Sequence, residues 1–599
     1  MAQSGLPVDH ATSARVRVLG EFWRIYRQRS DFRPAVGRAV LEQAARYRSL
    51  LSDPGHFTFA TNHGLMENLG LLQLELAFPT LPNGAHYRQL ALDRLDLQLS
   101  FLIDEAGVVR ENSAGYQAYG LRMLSMIFRC MTLLGEPVPA TWYQKYVSGL
   151  AFLGRLERPD GTLPAFGDTD GAAGDSAFRV TDVDANGASG PLHARASRRP
   201  DRELSVHPAA GYWIDWDGTE SWPDPAGLSQ TVVTWTRPPA PSHKHADELS
   251  VILWSKGTSW LTSVGYWPYG EPGRAEAESW AAANALHLAN EDPTGLRTPN
   301  LLSSGWTPEI SVLDLERRGP GAYTARRQVM HLKPDLWVIL DHVAADATET
   351  NETVWTLAPE VTAWRDATWR DASSASYLLE ARDGTTARLT LLGSPGTVAR
   401  DHRGSRSPFA GWHVVRAVPE PAPAITVEQP AGDAWAVAVL STASPGSPLS
   451  YAGGEPQVTG LSSADAWTIR LPMASGHLTL TRAVAEVTVE RAGGAGNATT
   501  HLTLDEGPDA SAAVSSVRVA FERVATAYPQ FQERSPARVK VSLILLGVVL
   551  VQEVVLLGVR RIRPRFHAPL RLVSLLCWIG VGVSLHVLLL RSWEVMALS

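Results

Sequence analysis

Two cysteines in 599 residues, Cys130 and Cys577, leave the chain with almost no thiol chemistry. They lie in stretches of very different composition, so neither a disulfide framework nor a cysteine-based zinc site can be built, and the redox compartment stays open. A basic excess is missing too: the formal net charge is -7, which argues against nucleic acid as the main partner. The opening stretch MAQSGLPVDHATSARVRVLGEFWRIYRQRSDF holds no apolar run of the kind that directs export. Charged residues make up 19% against 45% hydrophobic, which excludes disorder as the default and predicts about two to four domains with substantial cores.

Long apolar runs are confined to the C-terminus. Residues 541–559 (VSLILLGVVLVQEVVLLGV) and 572–590 (LVSLLCWIGVGVSLHVLLL) are each close to the length that spans a bilayer. They read as a transmembrane helical hairpin, with Gln552 and Glu553 as polar interruptions. The loop 560–571 carries Arg560, Arg561, Arg563, Arg565 and Arg571, which the positive-inside rule keeps cytoplasmic. The large N-terminal part is then expected outside the cytoplasm, anchored to a membrane and, in a bacterium, to the inner membrane on its periplasmic face. That topology conflicts with an N-terminus lacking an export signal.

Between these ends the pattern changes once. From 34 to about 156, apolar residues recur at spacings of three and four in AVGRAVLEQAARYRSLL, GLMENLGLLQLELAF, HYRQLALDRLDLQLSFLI, YGLRMLSMIFRCMTLL and WYQKYVSGLAFLGRL, predicting paired helices. After the Gly/Asp-rich loop 158–176, short alternating segments dominate, among them SQTVVTWTRP, LSVILWSKGTSWLTSVGY and RQVMHLKPDLWVILDHV. KG at 256–257 and KPD at 333–335 read as hairpin turns. The expected fold is α+β and multidomain: an N-terminal segment 1–33, a helical domain 34–203, a large antiparallel β-sandwich 204–504, a linker 505–540 and the hairpin 541–590. Twenty tryptophans suit sandwich packing and the faces of sugars alike.

The stretch SHKHADELS (242–250) puts His243 and His245 one residue apart, so in extended chain they share a face. Metal ligands, catalytic bases and surface histidines all fit that spacing. TNHGLMENLGLL (61–72), ENSAGYQAYGL (111–121), RPDGTLPAFGDTDG (158–171) and SHKHADELSVIL (242–253) follow one another in the order and approximate spacing of the heparinase II/III-like polysaccharide lyases. The chain resembles that family over roughly residues 35–500. The resemblance implies an α/α toroid followed by an antiparallel sandwich, and β-elimination of uronic-acid polysaccharides; the dermatan-sulfate-type C5 epimerases share the architecture.

The chemistry explains why these residue types belong together. The C5 proton of a uronate is poorly acidic beside its own carboxylate, so that carboxylate must be neutralised before a base can act. The resemblance assigns the neutralising role to Asn62 and His63, and proton donation and acceptance on opposite sides of the sugar to Tyr116 and His243. Tyr116 and Tyr119 lie three apart on the same predicted helix and either fits a packed aromatic; the position after Glu111 and Ser113 favours Tyr116 for the catalytic role. Gln117 departs from the family, where a histidine often follows the tyrosine. Arg110, Arg122 and Lys244 are candidates for binding carboxylate or sulfate, though a solvated face is the favoured reading of each; Tyr266, Tyr269 and His287 are candidate subsite residues.

The family's structural metal falls to the second histidine, an aspartate about eighteen residues on and a later histidine. Here those places hold His245, Ser263 and Ala283, so the ligand set is depleted and no metal or other cofactor is expected; His245 is expected to hydrogen-bond inside the sandwich. The resemblance also implies a longer helical section before Asn62, an arc of toroid whose absence leaves the ring incomplete. One expectation covers this and the missing export signal: the chain starts downstream of a natural start, or descends from a shortened form. The leading functional expectation is a membrane-anchored polysaccharide lyase with an acidic polysaccharide as partner. A C5-uronosyl epimerase working beside polysaccharide synthesis or export machinery, and a non-catalytic polysaccharide-binding or assembly protein, are the alternatives.

Overall fold

The computed structural model describes residues 8–508 except 55, 60, 172–180, 184–188, 192–198, 237–242, 296, 320–322, 346–347, 367–372, 452 and 494–496. The two expected membrane segments, their basic loop and most of the linker lie outside the described residues. Among the described residues no helix is long and apolar enough to cross a membrane.

Six helices open the chain: α1 (Val8–Tyr26), α2 (Pro34–Ser52), α3 (Asn62–Ala77), α4 (Gly84–Leu102), α5 (Ala114–Leu133) and α6 (Ala140–Leu156). The last five fall where the three-and-four spacing puts them. Helix α1 was not legible, because the buried positions on it are Thr12, Ser13 and Val16, too small and polar to register as an apolar stripe. It packs closely on α3: a Cβ added to Gly20 would lie 3.1 Å from that of Ala77.

The strands form stacked layers. Residues Leu204–His207, Tyr212–Asp217, Ser229–Thr234, Ser250–Ser255 and Thr258–Leu261 make a five-stranded sheet in sequence order. Its hairpin at Lys256-Gly257 has φ of 54° and 87°, the doubly positive geometry that matches strand twist in a two-residue turn. A nine-stranded sheet follows, with the antiparallel strands Ile310–Arg318, Thr324–Leu332, Leu336–Ala344 and Ala434–Ala443 at its centre. A second five-stranded sheet spans residues 457–503.

Alternation decides what each face covers. On the strand 336–344, Trp337 and Ile339 join a core with Trp213, Val233 and Val251 of the first sheet, while Val338 and Leu340 join one with Ile469, Leu480 and Val489 of the last. Both faces of the nine-stranded sheet are therefore covered, and its central strands are buried almost throughout. The first sheet's other face packs Tyr212, Ile214, Trp216 and Ile252 against Phe152 and Leu156 of α6 and Phe166 of the loop 158–171. At roughly 1.5–3 kcal/mol per large apolar side chain removed from water, this seam ties helices to sheet and holds that loop between them. The strand Asp505–Glu506 pairs with Ser303 and Ser304, carrying the sheet region slightly past the expected boundary at 504.

Candidate active site

The site forms where two helix starts meet the loop 158–171 and the segment before the strand 250–255. Thr61 caps α3, its hydroxyl accepting from the His63 amide at 3.3 Å, so Asn62 and His63 occupy the first turn, the electropositive end of a helix. Ser113 caps α5 and bonds Thr169 at 2.8 Å, which docks the loop onto the turn carrying Tyr116. The Asp168 amide donates to the His243 carbonyl at 3.1 Å. Gly167 makes that approach feasible: it has φ of 55°, and a Cβ there would run into the carbonyl oxygens of Asn112 and His243. His243 itself sits at φ of 56°, a region a non-glycine residue enters only when its surroundings hold it there.

Asp168 is the hub. Its Oδ2 accepts from His243 Nδ1 at 3.0 Å, from Arg274 Nη2 at 2.9 Å and from the Tyr269 hydroxyl at 3.3 Å; its Oδ1 accepts from His245 Nε2 at 3.0 Å. Burial alone would raise the pKa of this carboxyl, but the bonds from both histidines and the Arg274 charge hold it well below the usual carboxylate range. An ionised Asp168 fixes the proton of His243 on Nδ1 and leaves the lone pair on Nε2. That Nε2 lies 3.4 Å from Asn62 Nδ2. The Asn62 amide nitrogens, main-chain and side-chain, both donate to Glu111 Oε1 at 2.8 Å. Glu111 is fully buried and its pKa is raised by burial, against the opposing pull of His243 and Asn62.

Tyr116 stacks on His243 with ring centroids 3.4 Å apart and planes 14° from parallel. This is van der Waals contact, so no pyranose lies between those faces, and the expected placement on opposite sides of a sugar requires the rings to part. Burial pushes the Tyr116 hydroxyl far up, aided by Tyr269, Asp168 and Glu111 nearby, so it keeps its proton at all ordinary pH. Burial likewise pushes Tyr269 up to about 12. Arg274 lies over the Tyr269 ring at 3.8 Å, and Tyr266 meets Tyr269 edge to face at 5.8 Å. The structure thus brings together Asn62, Tyr116, His243, Tyr269 and Tyr266, with His63 beside Glu111.

The other candidates are placed elsewhere. Lys244 is buried, its ammonium paired with Asp247 and with Glu248 at 3.3 Å, so it stabilises the turn before the strand. His287 is buried against Trp280, stacked at 5.6 Å, with Nδ1 facing the Ala285 carbonyl; it lines a cavity with Glu352, Arg400 and His402 that includes none of Asn62, Tyr116 or His243. Burial lowers its pKa to about 4. Arg110 has its pKa lowered by burial beside Asp104 and Glu105, and Arg122 lies further along α5, acting on Tyr119. Tyr119 donates to Met66 Sδ at 3.1 Å, a packed aromatic as expected. Gln117 faces inward, bonding the Val109 amide at 2.7 Å and the Gly107 carbonyl at 2.9 Å. Its departure from the family's histidine therefore alters a turn rather than a subsite.

The donors do not fit the family's metal. Ser263 and Ala283 are buried, and the one retained position, His245, has its Nε2 engaged by Asp168. His245 is hydrogen-bonded, but to Asp168 of the loop 158–171 rather than inside the sandwich as expected. A different trio, Asp168, His245 and Glu278, has donor atoms within 4.8 Å of one another. Arg274 already lies in that trio, 2.9 Å from Asp168 and 2.6 Å from Glu278. Sequence reasoning missed three residues of the site. Asp168 and Glu111 sat inside recognised motifs without an assigned charge role, whereas Arg274, in EPGRAEAES, carried no signal.

Two family models match the chain: the heparinase II/III N-terminus over residues 11–182 and the heparinase II/III-like C-terminal domain over 199–439. No curated protein sequence matches significantly. Among solved structures, the heparan sulfate lyase HepC from Pedobacter heparinus is 16% identical with a TM-score of 0.57, the match covering 80% of this chain and 74% of that one. A heparinase III is 14% identical with a TM-score of 0.63, over 84% of this chain and 77% of that one. At such identities the likeness speaks for the fold. The two models and the shared helix-then-sheet architecture together show that the chain belongs to the heparinase II/III-like family.

Proposed function

We propose that the protein is a polysaccharide lyase that cleaves uronic-acid-containing glycans by β-elimination. The observation that carries the reading is His243, its Nδ1 on ionised Asp168 at 3.0 Å and its Nε2 turned toward Asn62, beside a Tyr116 hydroxyl that keeps its proton. One group suits proton acceptance and the other proton donation. The uronate carboxylate would meet the first turn of α3, where the Asn62 amide and the imidazole of His63 draw charge off it. His243 Nε2 takes the C5 proton, the electrons form the C4–C5 double bond, and the C4–O bond breaks. Tyr116 gives its proton to the departing oxygen, and the resulting imidazolium and phenolate exchange a proton, through water, to reset the site. Tyr266 and Tyr269 border that space as subsite residues. The reaction asks nothing of a metal, in keeping with a donor set that does not fit one.

An acidic polysaccharide is the partner this reading requires. Residues 541–590 are proposed as its membrane anchor, on the strength of their apolar sequence, with the catalytic part outside the cytoplasm near polysaccharide synthesis or export machinery. The purified protein, incubated with a panel of uronate polymers in deuterated water, should yield shortened chains whose new ends absorb in the ultraviolet as unsaturated uronates. His243→Ala and Tyr116→Phe should each abolish the signal. Deuterium at C5 in chains of unchanged length would mark a C5 epimerase instead, and binding without turnover a polysaccharide-binding protein.

A further inference from the structure

Asp168, His245 and Glu278 present two carboxylates and an imidazole with donor atoms within 4.8 Å, a set that ordinarily attracts a divalent ion. The guanidinium of Arg274 fills that role. Its Nη2 donates to Asp168 Oδ2 at 2.9 Å and lies 2.6 Å from Glu278 Oε1; its Nη1 donates to the Trp267 carbonyl, and its plane covers the Tyr269 ring at 3.8 Å. A cation held on four sides leaves no position for a second. We propose that Arg274 is the site's resident cation, a positioning residue that takes the place of a metal ion in holding Asp168, and through it His243 and His245, in catalytic register.

The physical case rests on what each group needs. Asp168 accepts two histidine N–H groups while completely buried, and a carboxylate so placed requires a neighbouring positive charge to stay ionised. Arginine supplies it permanently, whatever the pH or metal supply, and its planar fork reaches Asp168, Glu278 and a carbonyl together. Glu278 lies one helical turn beyond Arg274 in the short helix Arg274–Ala277 and its cap, so the sequence R-A-E-A-E builds the cation and its second anchor in one turn. The proposal goes beyond the absence of family ligands: the site is complete without metal because the chain carries its own cation.

The metal half of this inference is independent of the lyase reading; the positioning half rests on it. Zn2+ titration by calorimetry, with Mn2+ as a second probe, should show no tight site involving His245 in the wild-type protein. Removing the guanidinium in Arg274→Ala should expose the trio, giving one Zn2+ per chain bound at least about tenfold more tightly than by wild type, and Arg274→Ala/His245→Ala should lose it. On uronate polymer, Arg274→Ala should lose about 100-fold in kcat with little change in KM, as expected when a reacting group is displaced. Methylguanidine or Zn2+ should restore a substantial part, and Arg274→Lys should be intermediate. Circular dichroism and melting establish that each variant is folded; if Arg274→Ala does not fold, Arg274→Gln and Arg274→Lys carry the same comparison. Tight Zn2+ binding by wild type that His245→Ala removes, or undiminished kcat in a folded Arg274→Ala, would overturn the proposal. Should wild type show no lyase activity, the lyase reading falls and the Zn2+ titrations alone decide about Arg274.

Discussion

Of the arginine–carboxylate assemblies in the sheet region and at its edge, those of Arg327 and Arg274 use the same chemistry for different ends. In the nine-stranded sheet, Arg327 and Asp341 face each other on adjacent strands and pair bidentately, Nε and Nη2 donating to the two carboxylate oxygens at 2.6 and 2.7 Å. Arg327 also donates to the Leu249 carbonyl at 2.7 Å and covers Trp355 at 5.2 Å. Neither side chain is more than 3% exposed, and the carboxylate holds nothing but the arginine among the described contacts. At the site, Arg274 comes from a loop helix and remains 16% exposed, and its carboxylate partner also holds two histidines and a tyrosine. A carboxylate that serves only its arginine fixes packing; one that also accepts from histidines and a tyrosine can set the proton positions of other groups.

The contrast breaks most sharply at the carboxylates. Asp168→Asn should lower lyase turnover by about 10^3–10^4-fold, because an amide no longer fixes the His243 tautomer, while the melting temperature moves little. Steady-state kinetics beside a melting curve checks both halves. Arg327→Met should do the reverse: a loss of about 3–5 kcal/mol in denaturant unfolding, from a carboxylate left buried and alone, with kcat per folded molecule unchanged. A variant at either position that moved both quantities together would erase the distinction.

The histidines sharpen it further. His287 is neutral when folded and has its pKa lowered to about 4 by burial, whereas unfolded it titrates near its ordinary value of about 6.5. The unfolded chain therefore binds the proton first, so the His287 contribution to stability is complete above about pH 6.5 and declines as pH falls toward 4, by at most about 3 kcal/mol. His287→Gln should flatten that limb of the stability profile without altering the pH dependence of turnover. The smallest effect is expected at Tyr269, whose hydroxyl adds one long bond to an already saturated Asp168. Tyr269→Phe should cost about tenfold or less in kcat/KM, measured at saturating and limiting polymer.

Legibility followed locality. The helices α2 to α6 and the hairpins at 256–257 and 333–335 were readable because spacing and turn residues are properties of short windows. Asn62, Tyr116 and His243 were readable because each sits in a motif, and the structure brings Asn62 to the Nε2 edge and Tyr116 to the face of the same imidazole. Lys244 and Gln117 could not be placed because an ionisable or polar side chain in a motif gives no sign of its direction: Lys244 turns back onto Asp247, and Gln117 into the turn before α5. Arg274 was invisible because its meaning depends on Asp168, more than a hundred residues earlier in the chain.

The sequence by itself determined the order of helices and strands and the polar chemistry available, since both are written in residue identity and short-range spacing. Only the tertiary structure decided which charges meet. It split the two histidines of SHKHADELS between the oxygens of one carboxylate, stacked Tyr116 on one of them and set the Arg274 guanidinium between Asp168 and Glu278. Electrostatic roles are properties of distance and burial, and both are made by the packing of the loop 158–171 between α5 and the first sheet.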